Sequence, residues 1–205
     1  MGIAGLLIEV SNSVTDHFAV LGQPRRPWLD LDQLKQQYQQ MTFDLHPDRP
    51  KTNAEASDFS AVTDAYRVLS NPRLRLRHLL DLHPNESSTT RISDVPAELT
   101  DTFMEAATLV REIDVHRKKL EQTGSALGKS LLRGQTAQLQ KRTDEMLKRL
   151  ENQYNAMLDD LRRIDEAWTR DSPTVMSELH ALADRFGFLD RWLSQLRERQ
   201  FQLST

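Results

Sequence analysis

Cysteine is missing from all 205 residues. Disulfides and thiolate metal sites are thereby excluded, and the chain is compatible with a reducing cytosol. Long hydrophobic runs are missing too: 38% hydrophobic residues suffice for a modest core, but no apolar stretch approaches the roughly 18 residues that a membrane-spanning helix requires. Residues 1–10 are apolar but lack a basic flank and the arginines of a mitochondrial presequence. No targeting segment is expected, and a cytoplasmic location follows. A basic excess is lacking as well, since the net charge is −3 and the pI near 6.1, which argues against a general nucleic-acid binder. The six histidines are scattered, and His78 and His83 stand five apart, not the three or four that share a helical face. No metal and no cofactor are expected. Strand patterns are absent throughout.

Helical periodicity is what the chain does have. Residues 14–21 read as a short first helix, stopped by Gly22 with Pro24 just beyond. After a two-proline connection, Asp30 or Asp32 is a candidate N-cap for a second helix. Its apolar positions Leu31, Leu34, Tyr38, Met41 and Leu45 step by three and four. Phe59, Val62, Tyr66 and Leu69 repeat that stepping in a third helix. Asn71-Pro72 opens a fourth, with Pro72 at the first helical position; Arg73, Arg75 and Arg77 read as a solvated face opposite its leucines. Residues 83–96, rich in Pro, Ser, Thr and Asn, form the clearest domain boundary.

Three longer helices follow. Residues 96–122 carry Leu99, Phe103, Ala106, Leu109, Val110, Ile113 and Leu120 as a stripe. From about Leu131 to Trp168, the positions Leu147, Leu150, Tyr154, Met157, Leu161, Ile164 and Trp168 make a heptad-like seam. Residues 173–202 repeat the device with Val175, Leu179, Leu182, Phe186, Leu189, Leu193 and Leu196. Matching seams and short connections predict an antiparallel three-helix bundle. The fold class is therefore all-α: a lead-in over 1–13, a first domain over 14–82, a linker over 83–96 and the bundle over 97–205.

Between the second and third helices stands His46-Pro47-Asp48. Pro47 disfavours helical geometry at His46 and Pro50 keeps the connection from becoming helix, so the tripeptide is expected as a stiff loop at the tip of a helical hairpin. Together with Asp16-His17-Phe18-Ala19-Val20-Leu21-Gly22 upstream and Val62-Thr63-Asp64-Ala65-Tyr66-Arg67-Val68-Leu69-Ser70-Asn71-Pro72 downstream, it resembles a J domain. That is the module by which DnaJ-type co-chaperones engage a DnaK-type ATPase. The resemblance implies that His46, Pro47 and Asp48 contact the chaperone and promote ATP hydrolysis, with the basic face of the preceding helix steering docking. Here that helix offers Lys35 among Gln33, Gln36, Gln37, Gln39 and Gln40, so Arg49, with Arg25, Arg26 and Lys51, is expected to supply part of the field. Slower, less salt-sensitive association follows.

The long connection over 23–30 and the bundle are similar to the HscB-like branch, the iron-sulfur cluster co-chaperones. Residues 102–112 resemble the first bundle helix of that family and Phe186-Gly187-Phe188-Leu189-Asp190-Arg191 a block of the last. The resemblance implies an IscU-type scaffold bound through Phe103, Met104 and Phe188, flanked by Glu105 and Glu112, and a DnaK- or HscA-type ATPase at the other end. Ala107 stands where the family usually has a larger apolar residue and Thr108 where it often has an acidic one. Phe103 and Phe188 also fit as ordinary bundle core. His46 and Asp48 have an acid/base pair's chemistry, but no nucleophile, glycine-rich phosphate loop or ligand cluster accompanies them, so no enzyme activity is expected. A monomeric co-chaperone is the leading expectation. A J-domain adaptor for another client and a structural helical interaction protein are the alternatives.

Overall fold

The computed structural model describes residues 15–44, 53–83, 97–168 and 173–204. Seven helices are found there: α1 His17–Val20, α2 Leu31–Asp44, α3 Asn53–Ser70, α4 Pro72–Asp81, α5 Ala97–Gln122, α6 Ala126–Glu166 and α7 Pro173–Ser204. Among the described residues there is no strand, and no helix is long and apolar enough to cross a membrane.

Helix ends follow local chemistry. Asp16 caps α1 by accepting the Phe18 amide at 3.0 Å, and α1 is a single turn, shorter than the expected helix. Gly22 has φ +60, a conformation glycine adopts without a Cβ clash, and the Gln23 amide returns to the Phe18 carbonyl at 2.8 Å. Of the two candidate caps for α2, Asp30 acts: its carboxylate accepts from the Asp32 and Gln33 amides at 2.9 and 3.1 Å. Asn71 caps α4 through the Leu74 amide at 3.0 Å, with Pro72 in the first turn. α6 begins five residues ahead of the expected Leu131, at Ala126, because Ser125 accepts the Gly128 amide at 3.0 Å.

The stripes become core. Leu34, Val62, Ala65, Val68 and Leu69 are buried between α2 and α3, and Tyr38 stacks on Tyr66 with centroids 4.2 Å apart. Leu31, by contrast, is 47% exposed, because the first residue of α2 projects beyond that contact. In the bundle, every seam position named above is buried or half-buried. Glu105 pairs with Arg149 and Glu112 with Arg142, so residue numbers run oppositely and α5 and α6 are antiparallel. Glu151 with Arg197 and Asp144 with Gln200 give the same sense to α6 and α7.

The two parts share one apolar cluster. α4 lies on α7, and of its three arginines only Arg77 stays on the exposed face expected of them. Arg75 is 1% exposed, donating Nε–H to the Pro27 carbonyl at 2.8 Å and a second N–H to the Leu69 carbonyl at 2.5 Å. Arg77 pairs with Asp184 at 3.3 Å, and Arg73 lies across Gly187, where a Cβ would meet its Nε at 2.8 Å. Alternation suggested solvent for all three; α7 lies against Arg73, and Arg75 turns inward to the Pro27 and Leu69 carbonyls.

A buried polar contact ties α1 to α4. The His17 amide donates to His78 Nε2 at 3.0 Å, so that nitrogen must keep its lone pair. Burial lowers the His78 pKa, with the nearby His17 acting the same way and Asp16 and Asp81 opposing; burial also lowers that of His17. Folded pKa values below the unfolded 6.5 mean this contribution is complete above that pH and lost as pH falls through the lowered values. Thermal melts should therefore shift down between about pH 7.5 and 5.5. His78→Gln, whose amide oxygen still accepts the bond, should flatten the slope; an unchanged slope would assign it elsewhere.

Candidate protein-binding surfaces

Two surfaces concern function, one at each end of the sequence pattern. The expected loop residues His46, Pro47, Asp48 and Arg49, with Leu45, Pro50 and Lys51, lie outside the described residues. The helices that carry the loop are described: α2 ends at Asp44 and α3 begins at Asn53. Lys35 is exposed on α2, and Gln33, Gln36, Gln37, Gln39 and Gln40 around it are exposed too. Two of the cations expected to strengthen the field do not. Arg25 pairs with Asp16 at 2.6 Å, and Arg26 forms a bidentate pair with Asp165 of α6. Each positive charge thus faces a carboxylate and is largely cancelled at a distance.

That Arg26 contact belongs to a joint that sequence reasoning missed. Asp165 is 6% exposed and also accepts the Trp28 amide at 3.0 Å. Trp168 Nε1–H donates to the Arg25 carbonyl at 3.2 Å, and the Arg162 guanidinium lies 5.5 Å from the Trp28 ring centroid. The connection over 23–30, anchored also by Arg75 at Pro27, therefore fastens α1–α4 to the end of α6. The only prior signal was a pair of tryptophans, at 28 and 168, in otherwise polar stretches.

On the bundle, the five expected residues divide. Phe103, 7% exposed, turns inward against Phe188 and Trp192, with ring centroids 6.1 and 6.2 Å away. Phe188 is half-buried in that contact. Trp192, four residues on from Phe188, completes the cluster; its i, i+4 spacing was the available signal. Met104 is 62% exposed. It borders an open groove of about 390 Å³ between α5 and α6, with Leu109 and Met146 on its lining and Arg142 and Arg149 at its edge. Glu105 and Glu112 reach across to those two arginines. The structure thus brings Met104, Glu105 and Glu112 to one surface and puts Phe103 beneath it. Among the described residues no group of three His, Asp or Glu side chains is placed to hold a metal ion.

Comparison with known proteins finds matches to both parts of the chain. A sequence model of the DnaJ domain matches residues 16–81. The chain is 33% identical over 162 residues to the co-chaperone protein HscB of Proteus mirabilis, covering 73% of this chain and 87% of that protein. It is 30% identical over 118 residues to the chaperone protein DnaJ of Tropheryma whipplei, covering 56% of this chain and 32% of that one. Among solved structures, human co-chaperone HscB aligns with TM-score 0.48 and 17% identity over 89% of this chain and 85% of that one. HscB of Vibrio cholerae aligns with TM-score 0.47 and 17% identity over 92% and 95%. An all-α chain whose N-terminal helices are a J domain is a J-domain co-chaperone of an Hsp70-type chaperone. The chain belongs to the HscB co-chaperone family.

Proposed function

We propose that this protein delivers an IscU-type iron-sulfur scaffold to a DnaK- or HscA-type chaperone and stimulates its ATPase, working in the cytoplasm as a monomer and performing no chemistry itself. Residues 14–82 would recruit the chaperone through His46, Pro47, Asp48, Lys35 and Arg49, and residues 97–205 the scaffold. The observation that carries this reading is a family match that runs through both parts, at 87% of the relative's length. A steady-state ATPase assay of the partner chaperone with the full chain tests the first half; an unstimulated rate would end the proposal.

Met104 is the natural hot spot of the scaffold half. It is a large apolar side chain left 62% exposed beside a groove, and truncating such a residue costs a complex about 1–2 kcal/mol. Met104→Ala should weaken scaffold binding about tenfold in calorimetry while leaving the melting temperature unchanged. Phe103→Ala should weaken it as well, at a folding cost of about 3–5 kcal/mol because the ring is core. Binding untouched by both substitutions would move the client elsewhere and favour an adaptor for another protein. Glu105 and Glu112 act here by holding Arg149 and Arg142 against the groove.

A further inference from the structure

The charge of the client face is decided by which of its side chains are already paired. Three carboxylates of α5 stand at its edges, and each is engaged by an arginine of a neighbouring helix: Glu105 by Arg149, Glu112 by Arg142, and Asp114 by Arg199 at 3.4 Å. The ridge between those edges follows from helical spacing. Met104, Arg111 and Val115 lie within about 40° of one another around the helix, and Lys118 continues the same line. All four are exposed, Met104 by 62% and Val115 by 53%. Lys119 is exposed beside them. No carboxylate among the described residues forms an ion pair with Arg111, Lys118 or Lys119; Arg111 Nε–H reaches only the Ala107 carbonyl of its own helix, at 3.2 Å. The ridge therefore presents two apolar side chains separated and followed by cations whose charge is not cancelled, while Glu105, Glu112 and Asp114 beside it are each matched by an arginine. Asp101, one turn before Met104, is exposed without an ion pair among the described residues, and Glu145 of the groove meets only Lys141 of its own helix.

Resting on the reading that this bundle face takes the client, we infer that it recognises a protein surface carrying acidic side chains around an apolar one, with Arg111 as the central charge contact. The argument is charge complementarity. A partner's apolar side chain fits beside Met104 in the α5–α6 groove, and its carboxylates meet Arg111 and, about two turns further, Lys118 and Lys119. A basic partner would find Asp101 at one end of the ridge and Glu145 in the groove, but Glu105 and Glu112 are already held by arginines and the rest of the ridge would meet it with three unpaired cations. Arg142 strengthens the same polarity whenever Glu112 is removed.

The test titrates an IscU-type scaffold protein into the full-length chain by calorimetry, with thermal melts to verify folding, at about 50 and 500 mM NaCl. Arg111→Glu should weaken binding roughly fivefold or more, and the wild-type affinity should fall with salt. Glu112→Gln should strengthen binding, because it frees Arg142; an acidic docking face would show the reverse sign. Wild-type binding that is lost in Met104→Ala but unchanged in Arg111→Glu overturns the charge assignment and leaves the client reading standing. Absence of wild-type binding overturns both. A dimer in sedimentation that Arg111→Glu or Met104→Ala dissociates would identify a second copy of this chain as the occupant, and would equally overturn the inference.

Discussion

His46→Gln, added to the partner chaperone at a concentration where the wild-type chain stimulates fully, is expected to lower ATPase stimulation by tenfold or more. On the proposed reading, Asp48 beside it would supply a carboxylate for charge-assisted bonds to a chaperone arginine, and such a bond is worth about 1.5–3 kcal/mol, or roughly one to two decades. His46 stands directly before Pro47 in the same tripeptide, and a proline there restricts its backbone. Docking through this tripeptide would carry more of the affinity, because the cations around it give little electrostatic help. Lys35 stands among glutamines, and Arg25 and Arg26 are spent on Asp16 and Asp165. The substitution should not disturb folding, since α2 and α3 are held by Leu34, Leu69 and the Tyr38–Tyr66 stack. Equal stimulation by wild type and His46→Gln would remove the loop from the mechanism.

A large stability effect is also expected at Arg75. Its guanidinium is 1% exposed and is directed at two carbonyls, Pro27 and Leu69. Burial pushes its pKa down to about 10, which still leaves it charged at neutral pH. Arg75→Ala removes two charge-assisted hydrogen bonds, strands both acceptors in the interior and leaves a cavity the length of the side chain. The relief of desolvating one fewer charge offsets part of this. A net loss of about 3 kcal/mol follows, which for a chain of this size lowers the melting temperature by roughly 6–12 °C. Arg75→Lys should recover only a fraction, because an ammonium lacks the planar fork that reaches both carbonyls at once. A shift below about 2 °C in Arg75→Ala would mean the carbonyls find water. Since Pro27 belongs to the connection that Asp165 also grips, proteolysis within residues 23–30 should quicken in the same variant.

How much was legible can be argued from particular residues. The seams of α6 and α7 could be read directly, because burial along one helix repeats with the helix's own period, and Leu150, Leu161, Leu179 and Leu196 are fully buried where that period puts them. Caps were legible for the same local reason: Asn71 and Asp30 bond amides two or three residues away. The arginines of α4 were not. Arg75 finds the Pro27 carbonyl 48 residues upstream, and Arg77 finds Asp184 107 residues downstream. Nothing in the alternation of Arg and Leu distinguishes a solvated guanidinium from one pinned under another helix. The client face shows both cases at once, since spacing put Phe103 and Met104 next to each other, and only the position of Phe188 and Trp192 sends the first inward.

By itself, then, the sequence determined the all-helical class, the helix stripes and the starts of α2 and α4 at Asp30 and Asn71, all consequences of interactions within a few residues. Its order of J-domain blocks and tail motifs also pointed to the HscB-like co-chaperones. Tertiary structure alone decided which charges remain available. It committed Arg26 to the joint between the two parts and Arg25 and Arg75 to partners within the first, matched Glu105, Glu112 and Asp114 with arginines of other helices, and left Arg111, Lys118 and Lys119 facing solvent. The physical reason is range: hydrophobic periodicity acts along one helix, whereas an ion pair depends on where two distant helices bring their side chains together.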